Sequence, residues 1–488
     1  MQIDFSKILT ELSYQPGQPM IFSSGLFMLL FTAFLGIYSF VYKNERKRIL
    51  YLIAFSLFFY YKSSGWYVLL LLLATYSDFH IARRMSQVVN KAGRIALLVL
   101  SLSVNLGMLL YFKYTNFFFS MFHNMVGSSF DPFDIFLPVG ISFFTFQSLS
   151  YTIDVYRRNL LPLRKITDYA FYITLFPQMV AGPIVRASDF IPQIHTTPWV
   201  TRVEFGRAIF LISTGLFKKA VISDYISLNF VDRIFDNPML YTGLENLVGV
   251  YGYALQIYCD FSGYSDMAIG IALLMGYHLP LNFNSPYQSA SITEFWRRWH
   301  ISLSTWLRDY LYISLGGNRK GKIRTYINLF ITMLLGGLWH GAALRFVLWG
   351  AMHGVALAVE KFFVSITKNT LGAWSKPFKI LVTFHFVCFS WIFFRAENME
   401  VVGQVLTQIF TAFNVNILGD FIAGYPLVLT LMAVGFVLHF SPIKLEKYFE
   451  KQITEAHFAV KILYLSAVIF IVIQLKSAEI QPFIYFQF

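Results

Sequence analysis

The sequence predicts an all-α, polytopic membrane protein, and three properties of the whole chain support this prediction. Of the 488 residues, 56% are hydrophobic and only 13% are charged, and the mean hydropathy is +0.56. A soluble domain carries about a quarter charged residues, so this chain has too few polar side chains to cover a water-soluble fold. Apolar stretches long enough to cross the bilayer recur along it, giving roughly 11 to 13 membrane segments. A secreted enzyme, a disordered chain and a collagen are excluded.

The basic residues predict the orientation of the chain in the membrane. The net charge is +13, and clusters of Lys and Arg follow the apolar stretches at 43–48, 83–94 and 157–165. An excess of Lys and Arg marks cytoplasmic loops, so these clusters are assigned to the cytoplasmic side. Nucleic-acid binding is the weaker interpretation of the same charge. The amino terminus lacks the pattern of a removable signal peptide, so insertion is expected to rely on internal spans, the first at 20–42.

The middle of the chain predicts irregular membrane segments. From Asp168 onward glycine and proline interrupt the apolar sequence, as in FPQMVAGPIVR (176–186) and again between 253 and 287. Irregular backbone at membrane depth survives only where protein buries it or where it lines a watery cavity. We therefore expect re-entrant or broken helices around a cavity, followed by ordinary spans in the last third. Neither an internal repeat nor a linker is apparent, so 1–488 is expected to form one domain with its core at about 135–360.

The segment 291–324 predicts an amphipathic helix followed by a basic loop. Five apolar side chains recur there at helical spacing, and polar and charged residues take the opposite side. The apolar positions are Phe295, Trp299, Leu303, Trp306 and Tyr310. Such a helix would lie at the cytoplasmic interface, either as a membrane anchor or, with the GGNRKGKIR loop, as a contact for an anionic molecule. His300 lies on the apolar side with Trp296.

His340 is the second candidate, because an ionisable residue within an apolar run is expensive and points to function. The alternative is structural, since Gly337 and Gly341 have the spacing of a close helix contact and a histidine there can hydrogen-bond across it. A buried histidine rests neutral and can take a proton from a hydroxyl that attacks an acyl carbon. That chemistry favours a general base.

Other candidates carry less weight. Asp260 and Asp266 suit either a proton or ion path or the capping of a broken helix around Gly263. Structural hydrogen bonding is expected for the isolated histidines, and packing for the two cysteines. These residues are His353, His385, His439, Cys259 and Cys388. No motif of a zinc protease, serine hydrolase, P-loop ATPase or zinc ribbon is present in the sequence, and no metal site is predicted.

The motifs of the middle region resemble those of the membrane-bound O-acyltransferase (MBOAT) family, specifically its bacterial alginate O-acetylation branch. The resemblance rests on an ordered set of segments, of which no single one would suffice. They are PVGISFFTFQSLSYTIDVYR (138–157), FPQMVAGPIVR (176–186), YCDFSGYSDMAIGIALLMGY (258–277), FNSPYQSASITEFWRRWHISLSTWLRDYLYISLGGNR (283–319) and GGLWHGA (336–342). The first and last hundred residues match only as hydrophobic spans. Ser314 departs from the branch, which usually has proline there.

The resemblance implies an integral-membrane acyltransferase with about a dozen spans and a central tunnel. It implies that His340 of the WHG motif is catalytic and that His300 of WRRWH is a second functional histidine nearer the cytoplasmic mouth. Trp296, Arg297, Arg308 and Trp339 become candidate substrate-binding residues, although the arginines are equally suited to cytoplasmic anchoring. No permanently bound cofactor is expected.

For this branch the implied donor is acetyl-CoA or another cytoplasmic acetyl thioester. The implied location is the bacterial inner membrane, and the implied partner is an extracytoplasmic SGNH-type acetyltransferase that modifies a polysaccharide. Because no residue is visibly a dedicated nucleophile, direct transfer is expected rather than an acyl-enzyme. Three alternatives stay open at this point: transfer of another acyl group such as D-alanine, a polysaccharide-related transporter or flippase, and a scaffold without catalysis.

Overall fold

The structure is a computed structural model that describes residues 5–16, 18–367, 375–475 and 482–484. Within these ranges every regular element is helical, and none is a strand. This confirms the predicted all-α, polytopic class. The chain divides into two compact units, one of residues 1–201 with 271–280 and one of residues 202–270 with 281–486. The prediction that they act as a single domain stays a prediction.

The first unit contains ten helices. They are α1 (Phe5–Leu12), α2 (Gly25–Val41), α3 (Glu45–Ser64), α4 (Val68–Gln87), α5 (Lys91–Leu109), α6 (Thr115–Val126), α7 (Ile141–Arg157), α8 (Ile166–Thr174), α9 (Phe176–Met179) and α10 (Ala187–Ile194). Polar side chains begin several of them, since the first N–H groups of a helix lack partners within it. Ser24 Oγ accepts from the Phe27 N–H (3.2 Å) and Asn44 Oδ1 from the Lys47 N–H (3.0 Å).

The second unit contains the remaining helices, with α14 belonging to it as far as Gly270. They are α11 (Arg202–Leu216), α12 (Asp224–Ile226), α13 (Asp232–Asp236), α14 (Gly243–Leu274), α15 (Ile292–Arg298), α16 (Ile301–Trp306), α17 (Lys322–His340), α18 (Leu344–Thr367), α19 (Lys376–Arg395), α20 (Met399–Thr411), α21 (Leu418–Gly424), α22 (Pro426–Phe440), α23 (Ile443–Glu455) and α24 (Phe458–Leu475). Both predicted histidines, His300 and His340, lie in this unit.

Fewer helices meet a strict membrane-span criterion than the sequence predicted. Among the described residues, five are long and apolar enough, or six if a bent pair is counted as one span. The five are Glu45–Gln87, Lys91–Val126, Leu344–Ile366, Lys376–Arg395 and Phe458–Leu475. The predicted 11 to 13 is higher because it included segments that are short, such as the 17-residue α2, or that carry several charges, such as α14.

The prediction of broken helices is correct in part. The FPQMVAGPIVR segment forms only the four-residue α9 before its backbone becomes irregular, and α21 and α22 meet at a 91° bend. The prediction is wrong for the region around Gly263, because α14 runs without interruption through 32 residues. The central tunnel remains a prediction.

Two glycines set how closely α17 and α18 approach. A Cβ on Gly337 would lie 2.9 Å from the Gly350 Cα and would also overlap the Phe346 carbonyl oxygen, so the two backbones are in direct contact. Small residues allow this approach between membrane helices, where packing drives association. The predicted role of Gly337 as a helix-packing residue is therefore correct.

We expect Gly337→Ala to destabilise the protein by about 1–3 kcal/mol, because the added methyl group meets backbone atoms that cannot rotate away. The midpoint of thermal unfolding in detergent measures this. Gly107→Ala in α5 is the matched control, since a Cβ there meets nothing within 4 Å. A Gly337→Ala midpoint equal to that of Gly107→Ala would contradict the packing argument.

Candidate active site

The first histidine lies at a break between two short helices. α15 ends at Arg298 and α16 begins at Ile301, and His300 between them has a left-handed backbone (φ 42°, ψ 56°). Histidine is among the few residues that adopt this region more readily than most. The 282–284 segment holds the break, because the Ile301 N–H donates to the Asn282 carbonyl and the Asn284 N–H to that of Arg298, both at 2.9 Å.

This break corrects the predicted amphipathic helix. The five apolar side chains of the predicted stripe are all buried in the protein, with 0 to 7% of each exposed. The helix is not continuous, however, and the stripe packs against other side chains rather than facing lipid: Phe295 stacks on Trp299, whose ring lies 5.1 Å from Trp391. The periodicity correctly predicted which side chains are buried, but it could not reveal the turn.

His300 is completely buried and is held by polar and aromatic neighbours. Its Nδ1 lies 3.2 Å from Asn282 Oδ1. Its ring and that of Phe261 form a T-shaped contact with centroids 4.6 Å apart. Ser302 also contacts Asn282, with its hydroxyl donating to Oδ1 at 2.9 Å. The imidazole therefore has a fixed orientation within an apolar pocket.

The second histidine, His340, is the last residue of α17. Only 3% of it is exposed, and three aromatic rings surround it at centroid distances of 5.0 to 5.2 Å. These rings are Trp339, Trp349 and Phe394. The backbone becomes extended at Gly341, where a Cβ would overlap the Phe346 ring. Gly341 thus ends the helix and lets the WHG segment pack directly on α18.

Trp339 brings the two histidines together. Its ring lies 6.1 Å from that of His300 and 5.0 Å from that of His340, in a T-shaped contact with each. Residues 40 positions apart in sequence therefore contact the same indole. Such an arrangement of two buried imidazoles around one aromatic side chain can receive a proton in surroundings that largely exclude water.

The other predicted substrate-binding residues have different environments. Trp296 is buried beside Trp349 and His353, with ring centroids 5.7 and 5.2 Å away. Arg297 is exposed on α15. Arg308 is also exposed, but it binds the neighbouring Asp309 through two hydrogen bonds of 2.6 and 3.1 Å, and this contact raises the pKa of the guanidinium.

Sequence reasoning missed several residues of this site. Asn282 and Ser302, which hold His300, and Trp349, which contacts His340, carried no motif signal of their own. His353, expected to be structural, does have a hydrogen-bond partner in Ser390 at 3.0 Å, and its ring lies 4.7 Å from that of Trp349.

Asp260 and Asp266 of α14 belong to ion pairs, and the continuous helix corrects the interpretation that they cap a break around Gly263. Asp266 pairs with Lys218 at 2.7 Å, and Asp260 pairs with Lys219 at 2.5 Å. Lys219 also binds Asp224 at 2.7 Å. The carboxylates do not cap a broken helix, because α14 is continuous. The proton or ion path stays a hypothesis.

Comparisons with known proteins identify the family of the chain. The model of the membrane-bound O-acyltransferase family matches residues 104–402, more than half of the chain and both histidines. A probable alginate O-acetylase of Pseudomonas aeruginosa is 43% identical over 401 residues, covering 80% of this chain and 75% of that protein. A peptidoglycan O-acetyltransferase of Helicobacter pylori is 37% identical over 79% of each chain.

The name of a more distant relative specifies transfer of a different acyl group. The teichoic acid D-alanyltransferase of Bacillus subtilis is 31% identical over 53% of this chain and 69% of that protein. The family model and the coverage of the first two relatives are sufficient to assign the chain. It belongs to the membrane-bound O-acyltransferase family, in the branch that contains the bacterial alginate O-acetylases.

Proposed function

We propose that the chain transfers an acetyl group from a cytoplasmic thioester, with acetyl-CoA as the donor, towards a hydroxyl of an exported polysaccharide. The observation that carries this proposal is the pair of buried histidines that both contact the Trp339 ring. The names of two relatives that match 80% and 79% of this chain, a probable alginate O-acetylase and a peptidoglycan O-acetyltransferase, support acetyl as the acyl group.

His340 acts as the general base in this proposal. The acceptor oxygen attacks the thioester carbonyl while the imidazole takes the hydroxyl proton, so that a C–O bond forms as the C–S bond breaks. The sulfur leaves as a thiolate, which then recovers the proton from the imidazolium. A thiol with a pKa near 8.5 is a far better leaving group than an alkoxide, so a neutral base is sufficient.

Burial of the two imidazoles supports this chemistry in a second way. Water at the position of the acceptor would hydrolyse the thioester, and a site that excludes water prevents this loss. Direct transfer is preferred to an acyl-enzyme. The two cysteines are buried, and neither is among the residues described in contact with His300 or His340. Arg297, exposed on α15, is better placed than the Asp309-bound Arg308 to meet the donor's phosphates.

We place the protein in the bacterial inner membrane, with an extracytoplasmic SGNH-type acetyltransferase as its partner. This part rests on the family resemblance and on the positive-inside distribution of Lys and Arg. The partner would receive the acetyl group and pass it to the polymer.

The second candidate is transfer of D-alanine, which the Bacillus subtilis relative favours. A strain that lacks this chain distinguishes the two. We expect its surface polymers to lose O-acetyl esters and to keep D-alanyl esters, both measured after mild alkaline release. Loss of D-alanyl esters with unchanged O-acetyl content would overturn the acetyl assignment and support the alternative.

The transporter alternative makes an opposite prediction for Asp266. We expect Asp266→Asn to keep catalysis in the molecules that fold, because this carboxylate is engaged in an ion pair with Lys218. A transporter would instead lose its activity with Asp266→Asn and tolerate His340→Ala. O-acetyl content per folded molecule is determined for both variants side by side. It shows whether His340→Ala or Asp266→Asn causes the larger loss.

A further inference from the structure

Asn282 makes a set of contacts that determines which nitrogen of His300 carries a proton. Its Oδ1 accepts from the Ser302 backbone N–H at 3.2 Å and from the Ser302 hydroxyl at 2.9 Å. Its Nδ2 donates to Ser265 Oγ at 3.2 Å. A backbone N–H can only donate, so the atom that faces Ser302 must be the amide oxygen.

The orientation of the amide in turn fixes the imidazole. His300 Nδ1 lies 3.2 Å from the same Oδ1, and an oxygen without a hydrogen can only accept there. Nδ1 must therefore carry the hydrogen. In a neutral imidazole the other nitrogen, Nε2, is then the hydrogen-bond acceptor and the basic atom.

The backbone holds this arrangement independently of the side chains. The Ile301 N–H donates to the Asn282 carbonyl at 2.9 Å, directly after the left-handed His300. Asn282 and Ser302 are themselves buried, with 0 and 6% exposed. The asparagine thus contacts the histidine turn through both its backbone and its side chain, and turning the ring over would break the hydrogen bond from Nδ1 to Asn282 Oδ1.

We propose that Asn282 is a positioning residue that fixes His300 as its Nδ1–H tautomer and so directs the basic Nε2 to an O–H or N–H group of the substrate. This inference rests on the proposed function, in which His300 takes part in acetyl transfer. Asn282 acts through His300 and does not contact the reacting atoms.

The charged surroundings of His300 determine how the proposal can be tested. Burial lowers the pKa of this imidazole, which lies between α15 and α16 outside the candidate spans. Three elements touch its ring, through Phe261 of α14, Phe283, and Trp339 of α17. The titratable groups beside these contacts are Asp260 (paired with Lys219), Tyr264 and His340.

Asn282→Asp is the decisive variant, because a carboxylate keeps the acceptor positions for Ser302 and His300 and adds a negative charge. An adjacent anion raises the pKa of an imidazole, so the histidine becomes protonated at higher pH. Activity that needs neutral His300 is then lost at a higher pH than in the unmodified protein. We expect the acidic limb of the rate profile to move upward by on the order of one pH unit, with near-normal rates on the alkaline side.

The rates are measured with the full chain in proteoliposomes, as transfer of labelled acetyl from acetyl-CoA between roughly pH 3 and 9, because burial lowers the pKa of His300 to about 3. Asn282→Ala should lower kcat without moving the acidic limb upward, because no charge is added. Asn328→Asp is the matched control: it makes the same change at a buried asparagine of α17, about 18 Å along the helix from His340. Its acidic limb should stay that of the unmodified protein.

Three results are distinguishable. An upward shift for Asn282→Asp alone supports the positioning role. An unshifted limb in a folded, active Asn282→Asp protein overturns it, as does an equal shift in Asn328→Asp. Full activity of His300→Ala would instead refute the involvement of His300 in the proposed function.

Discussion

His340→Ala is expected to lower O-acetyl transfer by at least about 10²-fold, the usual contribution of a positioned general base. The imidazole contacts both Trp339 and Trp349, and only 3% of the residue is exposed. The methyl side chain of alanine has no basic atom that could take the proton of the acceptor hydroxyl. The measurement is the O-acetyl content of the exported polymer in cells that produce the variant, divided by the amount of protein in the membrane.

His385→Ala provides the control for this experiment. This histidine also lies in a membrane helix, but it is exposed and its Nε2 is 2.9 Å from the Tyr251 hydroxyl. We expect it to keep the acetylation of the unmodified protein. If the two variants had equal acetylation, His340 would be a structural residue and the general-base assignment would be wrong.

Lys219→Met is expected to destabilise the protein by about 3–5 kcal/mol, the largest stability effect that the structure predicts. The ammonium group is buried and compensates two carboxylates, Asp224 and Asp260. Removing one partner leaves the others charged and desolvated, which costs more than the pair itself contributes. The midpoint of thermal unfolding in detergent should fall strongly, together with the amount of protein inserted.

Neutralising the two carboxylates tests whether uncompensated charge causes the loss of stability. The triple variant Lys219→Met, Asp224→Asn, Asp260→Asn has no uncompensated charge, so its unfolding midpoint should lie above that of Lys219→Met alone. Lys322→Met is the control for loss of a lysine, since that residue is exposed at the start of α17. A triple variant no more stable than the single one would show that packing, and not charge, accounts for the loss.

The sequence predicted those features of the site that depend on local pattern. Helical spacing identified the buried side chains from Phe295 to Tyr310, and the apolar context singled out His340. What it missed depends on partners distant in the chain. The turn at His300 needs Asn282, 18 positions away, and the role of Asp266 is set by Lys218, 48 positions away.

For a related reason, the sequence predicted more membrane segments than meet the length and composition criterion among the described residues. Hydropathy counts any apolar stretch, whereas α14 is apolar because protein surrounds it, and its acidic residues have lysine partners from another segment. In the same way, the prediction of irregular backbone from glycine and proline is correct at α9 and wrong at Gly263, because glycine permits a break without requiring one.

The most direct test of the central claim uses proteoliposomes that contain the full chain, with labelled acetyl-CoA outside and hydroxyl acceptors trapped inside. The acceptors are oligosaccharides of alginate and glycan strands of peptidoglycan, supplied with and without an SGNH-type partner. We predict that label reaches an acceptor with the unmodified protein and with His385→Ala, and that His340→Ala gives less than about one hundredth of this rate. Transfer by His340→Ala at the unmodified rate would contradict the account.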